Sequence, residues 1–129
     1  MDVPVPYRWL IIALLVTALV VVSTTPARSQ VGDSAFEWLV AVTPMPMQKV
    51  LHVALYALLS FLIVWAAENA DRAMVRYTAA FAGAVILGAA LEWAQTRIPG
   101  RFGNLTDILL NASGALLGLA AASWLLRRG

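Results

Sequence analysis

Hydrophobic residues gather in four long stretches that are separated by short polar segments. The stretches cover residues 7–23, 50–67, 73–98 and 105–126. Each is close to the roughly 20 residues that an α-helix needs to cross the hydrocarbon core of a bilayer. The pattern therefore predicts an all-α integral membrane four-helix bundle, with residues 1–129 forming one transmembrane domain.

The longest connection joins the first and second stretches and contains a short amphipathic segment at residues 34–40. It is too short to span a bilayer, and its Phe36 and Trp38 are typical of side chains that lie among lipid head groups. We expect an interfacial helix here. The first stretch has a second interpretation as a cleaved signal peptide, because Arg8 precedes its apolar core and residues 27–29 offer a small-residue cleavage site.

Composition supports a membrane protein and excludes several functional classes. The chain is 61% hydrophobic and 12% charged, with a mean hydropathy of +0.79, whereas soluble domains carry about 25% charged residues. It has no cysteine, which excludes disulfides, thiol nucleophiles and thiolate metal sites. The nine basic residues give a net charge of only +2 and are scattered. Nucleic-acid binding needs a contiguous basic patch and is therefore not expected.

The distribution of basic residues sets the expected orientation, because cytoplasmic loops are enriched in Lys and Arg. With a cytoplasmic N-terminus, the inner side carries Arg8, Arg72, Arg76, Arg127 and Arg128, and the outer side carries Arg28, Lys49, Arg97 and Arg101. The bias is small, but the short basic loop and the Arg-Arg pair at the end favour cytoplasmic N- and C-termini. We expect a multi-pass protein of the cell membrane.

Polar side chains gather near one end of three of the apolar stretches. The only histidine, His52, shares a helical face with Lys49, Tyr56 and Ser60. The other members are Glu92 and Gln95, the loop residue Arg101, and Asp107 and Asn111. Successive antiparallel helices bring these ends together at the outer face. Since a charge at the centre of a spanning helix is unfavourable by roughly 2.5–3.5 kcal/mol, the pattern predicts a functional site.

Several of these residues also have a purely structural interpretation. Lys49 can snorkel from a helix start to the membrane surface. Asp107 can cap the fourth helix, with Asn104 or Thr106 as alternative caps. The glycines of the fourth stretch, Gly114-x-x-x-Gly118, favour close helix packing in lipid.

The buried polar groups leave the same choice open. The amides of Gln95 and Asn111 can form hydrogen bonds between helices. Glu92 requires a partner, for which Lys49, His52 and Arg101 are the candidates.

Taken together, the motifs resemble the VanZ-like family, named for a membrane protein associated with teicoplanin resistance. The sequence contains K-x-x-H-x-x-x-Y from Lys49, E-x-x-Q from Glu92, the tripeptide at 99–101, and D-x-x-x-N-x-x-G-x-x-x-G from Asp107. The resemblance covers roughly residues 49–118. Two positions depart from it, since Gln48 and Asn104 stand where the family often has acidic residues. The loss of negative charge argues against a metal site, and we expect no cofactor.

The enzyme hypothesis assigns catalysis to three residues. His52 or Glu92 would act as general acid or base, and Asp107 would orient His52 or Lys49. Lys49 and Arg101 would hold an anionic phosphate. Hydrolysis of a phosphate ester or transfer of a lipid head group fits this set.

The binding hypothesis assigns the same cluster to ligand recognition without chemistry. Lys49, Tyr56, Gln95, Arg101 and Asn111 would hold an envelope lipid or a lipoglycopeptide such as teicoplanin, as the resemblance implies. In the third interpretation, the polar cluster only fixes the positions of the helices. The oligomeric state is not predicted by the sequence.

Overall fold

Four long α-helices make up most of the part of the chain that the structure describes. The structure is a computed structural model that describes residues 3–24, 35, 42, 44–98 and 104–128. Its helices are α1 (Val5–Thr24), α2 (Met45–Ala66), α3 (Ala73–Gln95) and α4 (Leu105–Leu126). Each is long and apolar enough to cross a membrane, so the predicted four-helix, multi-pass membrane fold is confirmed. The expected interfacial helix at 34–40 lies, apart from residue 35, outside the described residues.

Two helix ends differ from the predicted bounds by three residues or more. Helix α2 begins at Met45, five residues before the predicted start, with Pro44 as its N-cap and Pro46 in its first turn. Proline is tolerated there because the first amide groups of a helix have no partner within the helix. Helix α3 ends at Gln95, three residues early, which places Glu92 about 4.5 Å from the helix end.

The most extensive helix contact joins α2 and α4, which begin at the same membrane face and run parallel. A methyl group at Gly114 would lie 3.0 Å from the backbone carbon atoms of Val53, and one at Gly118 would overlap the carbonyl oxygen of Ala57. Only glycine permits this approach, as the Gly-x-x-x-Gly spacing predicts. Helix α4 also packs on α3, and α1 packs on α2 and α3.

A buried arginine joins α1 to the far end of α2. Arg8 is only 7% exposed, and its guanidinium donates to the Trp65 carbonyl at 3.0 Å and to Glu68 Oε1 at 2.6 Å. Arg76 donates to the Glu68 carbonyl at 2.7 Å. Both arginines satisfy carbonyl groups at the C-terminal end of α2, where the helix dipole favours positive charge.

Candidate functional site

The imidazole of His52 is held between α3 and α4 by two polar side chains. His52 Nδ1 lies 2.8 Å from Asn111 Oδ1 and 3.9 Å from Glu92 Oε1. An amide oxygen only accepts hydrogen bonds, so Nδ1 carries the hydrogen and donates to Asn111. In the neutral ring, Nε2 then has a free lone pair. With Asn111 Oδ1 as the acceptor, this hydrogen bond favours the tautomer in which Nε2 is an acceptor.

Glu92 links the end of α3 to the start of α4. Its side chain is 3% exposed, and Oε2 accepts a hydrogen bond from the backbone N–H of Asn104 at 3.3 Å. Asn104 is the N-cap of α4, and its Oδ1 accepts from the Asp107 N–H at 2.9 Å. Of the three caps considered, Asn104 is the one present. Asp107 lies in the first turn, where a carboxylate interacts favourably with the helix dipole.

The inner wall of the site is closely packed and polar. Asn111 is 1% exposed, and its Nδ2 is buried without a hydrogen-bond partner among the described residues. The Tyr56 ring stacks parallel to His52, with centroids 6.4 Å apart. A Cβ atom at Gly88 would lie 2.7 Å from Asn111 Nδ2 and 3.2 Å from Tyr56 Cε1. One turn deeper, Ser60 Oγ donates to the α4 backbone at 2.8 Å.

A cavity of about 90 Å³ adjoins this cluster. It lies between the end of α1, the start of α2 and the end of α3, at the face where α2 begins. Its polar lining is Ser23, Gln48, His52, Tyr56 and Gln95, and its apolar lining is Leu19, Val22, Leu51 and Leu55. The volume corresponds to about three water molecules. The cavity has room for a small polar group, with apolar surface beside it.

The structure gathers five of the predicted site residues around this cavity and its inner wall: His52, Tyr56, Glu92, Gln95 and Asn111. Of the other three, only Lys49 and Asp107 lie among the described residues, and neither lines this cavity. Lys49 is exposed and lines a separate apolar groove between α2 and α4.

The parallel register of α2 and α4 puts Lys49 near the level of Asp107. The structure shows no ion pair between these two, both of which lie in its described part. Arg101 lies outside the described residues. The roles suggested for Lys49, Arg101 and Asp107 stay predictions.

Two polar cavity residues, Ser23 and Gln48, were not among the predicted site residues. Gln48 lies one helical turn before His52, so its helical spacing was a usable signal. Ser23 comes from α1, in which no site residue was predicted. No pattern within α1 indicates that its end closes a cavity.

The side chains of the cluster are suited to hydrogen bonding. Within residues 3–24, 44–98 and 104–128, no three His, Asp or Glu side chains come close enough to hold a metal ion. The imidazole, the phenol and the two amides that line the cavity can form hydrogen bonds as donors or acceptors. Glu92 provides a buried carboxylate behind them.

Comparison with known proteins agrees with the motif pattern. The sequence model of the VanZ/LLP1 family matches residues 8–127, which extends the resemblance from residues 49–118 to nearly the whole chain. No curated protein and no solved structure matches the chain.

Proposed function

Since the chain belongs to the VanZ/LLP1 family, we propose that its polar cavity binds the head group of an envelope lipid or of a lipoglycopeptide. The observation that carries this proposal is the cavity itself. It places His52, Tyr56 and Gln95 beside apolar side chains, between helices that can each cross a membrane. Ligand pockets typically combine apolar walls with a few convergent polar groups.

The fixed tautomer of His52 supports recognition of a hydroxyl or amide donor. Nδ1 is engaged with Asn111, so Nε2 accepts a hydrogen bond from the ligand. Gln48 and Gln95 supply both donors and acceptors at the cavity wall. The ligand's apolar part would lie along Leu51 and Leu55. A molecule with a polar head and a lipid chain matches this division.

The charged residues Lys49, Arg101 and Asp107 extend the proposal to anionic head groups. Lys49 and Arg101 would hold a phosphate at the membrane surface, with Asp107 orienting Lys49. With both termini in the cytoplasm, the cavity faces the outer leaflet of the cell membrane, where envelope lipids and lipoglycopeptides are accessible. A role in teicoplanin resistance would follow if the lipid tail of the drug is held there.

A second candidate, a membrane enzyme, is favoured by the contact between His52 and Glu92 at 3.9 Å. A buried carboxylate beside a histidine stabilises the imidazolium that forms when Nε2 takes a proton. Nε2 would remove a proton from water or from an acceptor hydroxyl as its oxygen attacks the phosphorus atom of the head group. The phosphate ester bond would break, and the proton would pass to the leaving alcohol.

The test exposes purified protein in detergent to a total envelope lipid extract and, separately, to teicoplanin. Retained and converted species are identified by mass spectrometry. The variant is Gln95→Ala, and the matched control is Thr96→Ala, because Thr96 is exposed and bonds only within its own helix. We expect wild type and the control to retain the same ligand and Gln95→Ala to lose it. Failure of wild type to retain any ligand would overturn the proposal.

The same experiment separates binding from catalysis. A product formed by wild type, but not by folded His52→Ala or Glu92→Gln, would establish the enzyme. Full conversion by both variants would exclude it. If Glu92→Gln lowers only the melting temperature, and wild type neither binds nor converts a lipid, the cluster has a structural role alone.

A further inference from the structure

A second cavity lies at the opposite end of the bundle, between α1, the end of α2 and the start of α3. Its volume is about 450 Å³, equivalent to about fifteen water molecules. Its apolar lining includes Trp9, Ile63 and Val75, and its charged lining is Asp71, Arg72 and Arg76. It belongs to the face where α1 begins, so it is separate from the site around His52.

The two arginines of this cavity have unused hydrogen-bonding capacity. Arg76 donates one hydrogen bond, to the Glu68 carbonyl at 2.7 Å, and its Nε is buried without a partner among the described residues. Arg72 is exposed and is the N-cap of α3, and its guanidinium, which has only donors, cannot cap the N–H groups of the helix. With Asp71, the three charged side chains sum to one positive charge.

We propose that this cavity binds one phospholipid whose head group carries a single phosphodiester charge and free hydroxyls, as in phosphatidylglycerol. Arg72 and Arg76 would hold the phosphate, because guanidinium groups form strong charge-assisted hydrogen bonds to phosphate oxygens. Asp71 would accept a hydrogen bond from a head-group hydroxyl. A zwitterionic choline head group has neither the net negative charge nor the hydroxyl donors.

The surroundings of the cavity fit a lipid rather than a free anion. Trp9 lies in the first turns of α1, and tryptophan is enriched at the depth of lipid head groups. Ile63 and Val75 continue the lining along the helices, where acyl chains would lie. Basic pockets between spanning helices are a known way to bind anionic lipids.

The test measures lipid binding by native mass spectrometry of the full chain in detergent, with phosphatidylglycerol and phosphatidylcholine added in separate titrations. The cavity variant is Arg72→Gln/Arg76→Gln. The matched control is Arg127→Gln/Arg128→Gln, which removes the same charge from the same end but spares the cavity. We expect the cavity variant to weaken phosphatidylglycerol binding about tenfold. The affinity of the control should stay within about twofold of wild type.

Three results would overturn the proposal. Equal losses of phosphatidylglycerol affinity in the cavity and control variants would mean that only surface charge matters. Equal affinity of wild type for both lipids would remove the charge argument. Displacement of phosphatidylglycerol by millimolar inorganic phosphate would identify a free-anion site. If the double variant does not fold, the single variant Arg72→Gln tests the proposal, because its exposed side chain has no capping role. Unchanged phosphatidylglycerol affinity in that variant would count against the cavity.

Discussion

The contact between α2 and α4 can be tested by adding one methyl group to either of two glycines. Gly118 lies in that contact, and a Cβ there would overlap the Ala57 carbonyl oxygen and Ser60 Oγ. Gly83 is in α3, and a Cβ there would have no atom within 4 Å. The two substitutions to alanine make the same chemical change inside predicted spanning helices and differ only in their surroundings.

The expected difference in the free energy of unfolding follows from those surroundings. Replacing glycine by alanine in a helix stabilises it by roughly 0.5–1 kcal/mol, and both variants receive this gain. Gly118→Ala also overpacks the α2–α4 contact, which destabilises by about 1–3 kcal/mol. The neighbour is backbone and cannot move aside as a side chain does. Gly118→Ala should therefore be less stable than Gly83→Ala by about 1–3 kcal/mol.

The assay is unfolding in mixed micelles with increasing sodium dodecyl sulfate, followed by far-UV circular dichroism. Both variants and wild type are titrated under the same conditions. Gly83→Ala should unfold at or slightly above the wild-type midpoint, and Gly118→Ala clearly below it. Equal midpoints for the two variants would refute the close approach of α4 to α2.

Three further predictions concern single polar contacts. Asn104→Ala should lower the free energy of unfolding by about 1 kcal/mol, because the N–H of Asp107 loses its cap. Thermal unfolding measures this change, and Asn104→Asp should keep most of the wild-type stability. Arg8→Met should lower stability by about 1.5–3 kcal/mol in the same assay, since a buried charged donor to the end of α2 is lost; an unchanged melting temperature would contradict the contact. Asn111→Leu should lower the population of the Nδ1–H tautomer of His52. Because His52 is the only histidine in the chain, its ring signals in ¹⁵N NMR report the tautomer directly.

Much of the site was predictable because helical periodicity and chain direction are local information. His52 and Tyr56 are one turn apart, so they share a face in any α-helix. Glu92 comes near the end of one apolar stretch and Asn111 near the start of the next, so alternating spans bring them to one membrane face. The sequence by itself thus determined the four spanning helices and the family motifs, and the eight site residues predicted from it include the five that meet.

Only the tertiary structure decided which neighbour each helical face contacts. Lys49 belongs to the same stripe as His52, yet it lines the apolar groove between α2 and α4 while His52 lines the polar cavity. Arg8 is buried against the end of α2, although its position in the sequence indicated only membrane orientation or the start of a signal peptide. Periodicity defines the faces of one helix, but burial depends on the rotation and approach of others, which are set by long-range packing of small residues such as Gly118.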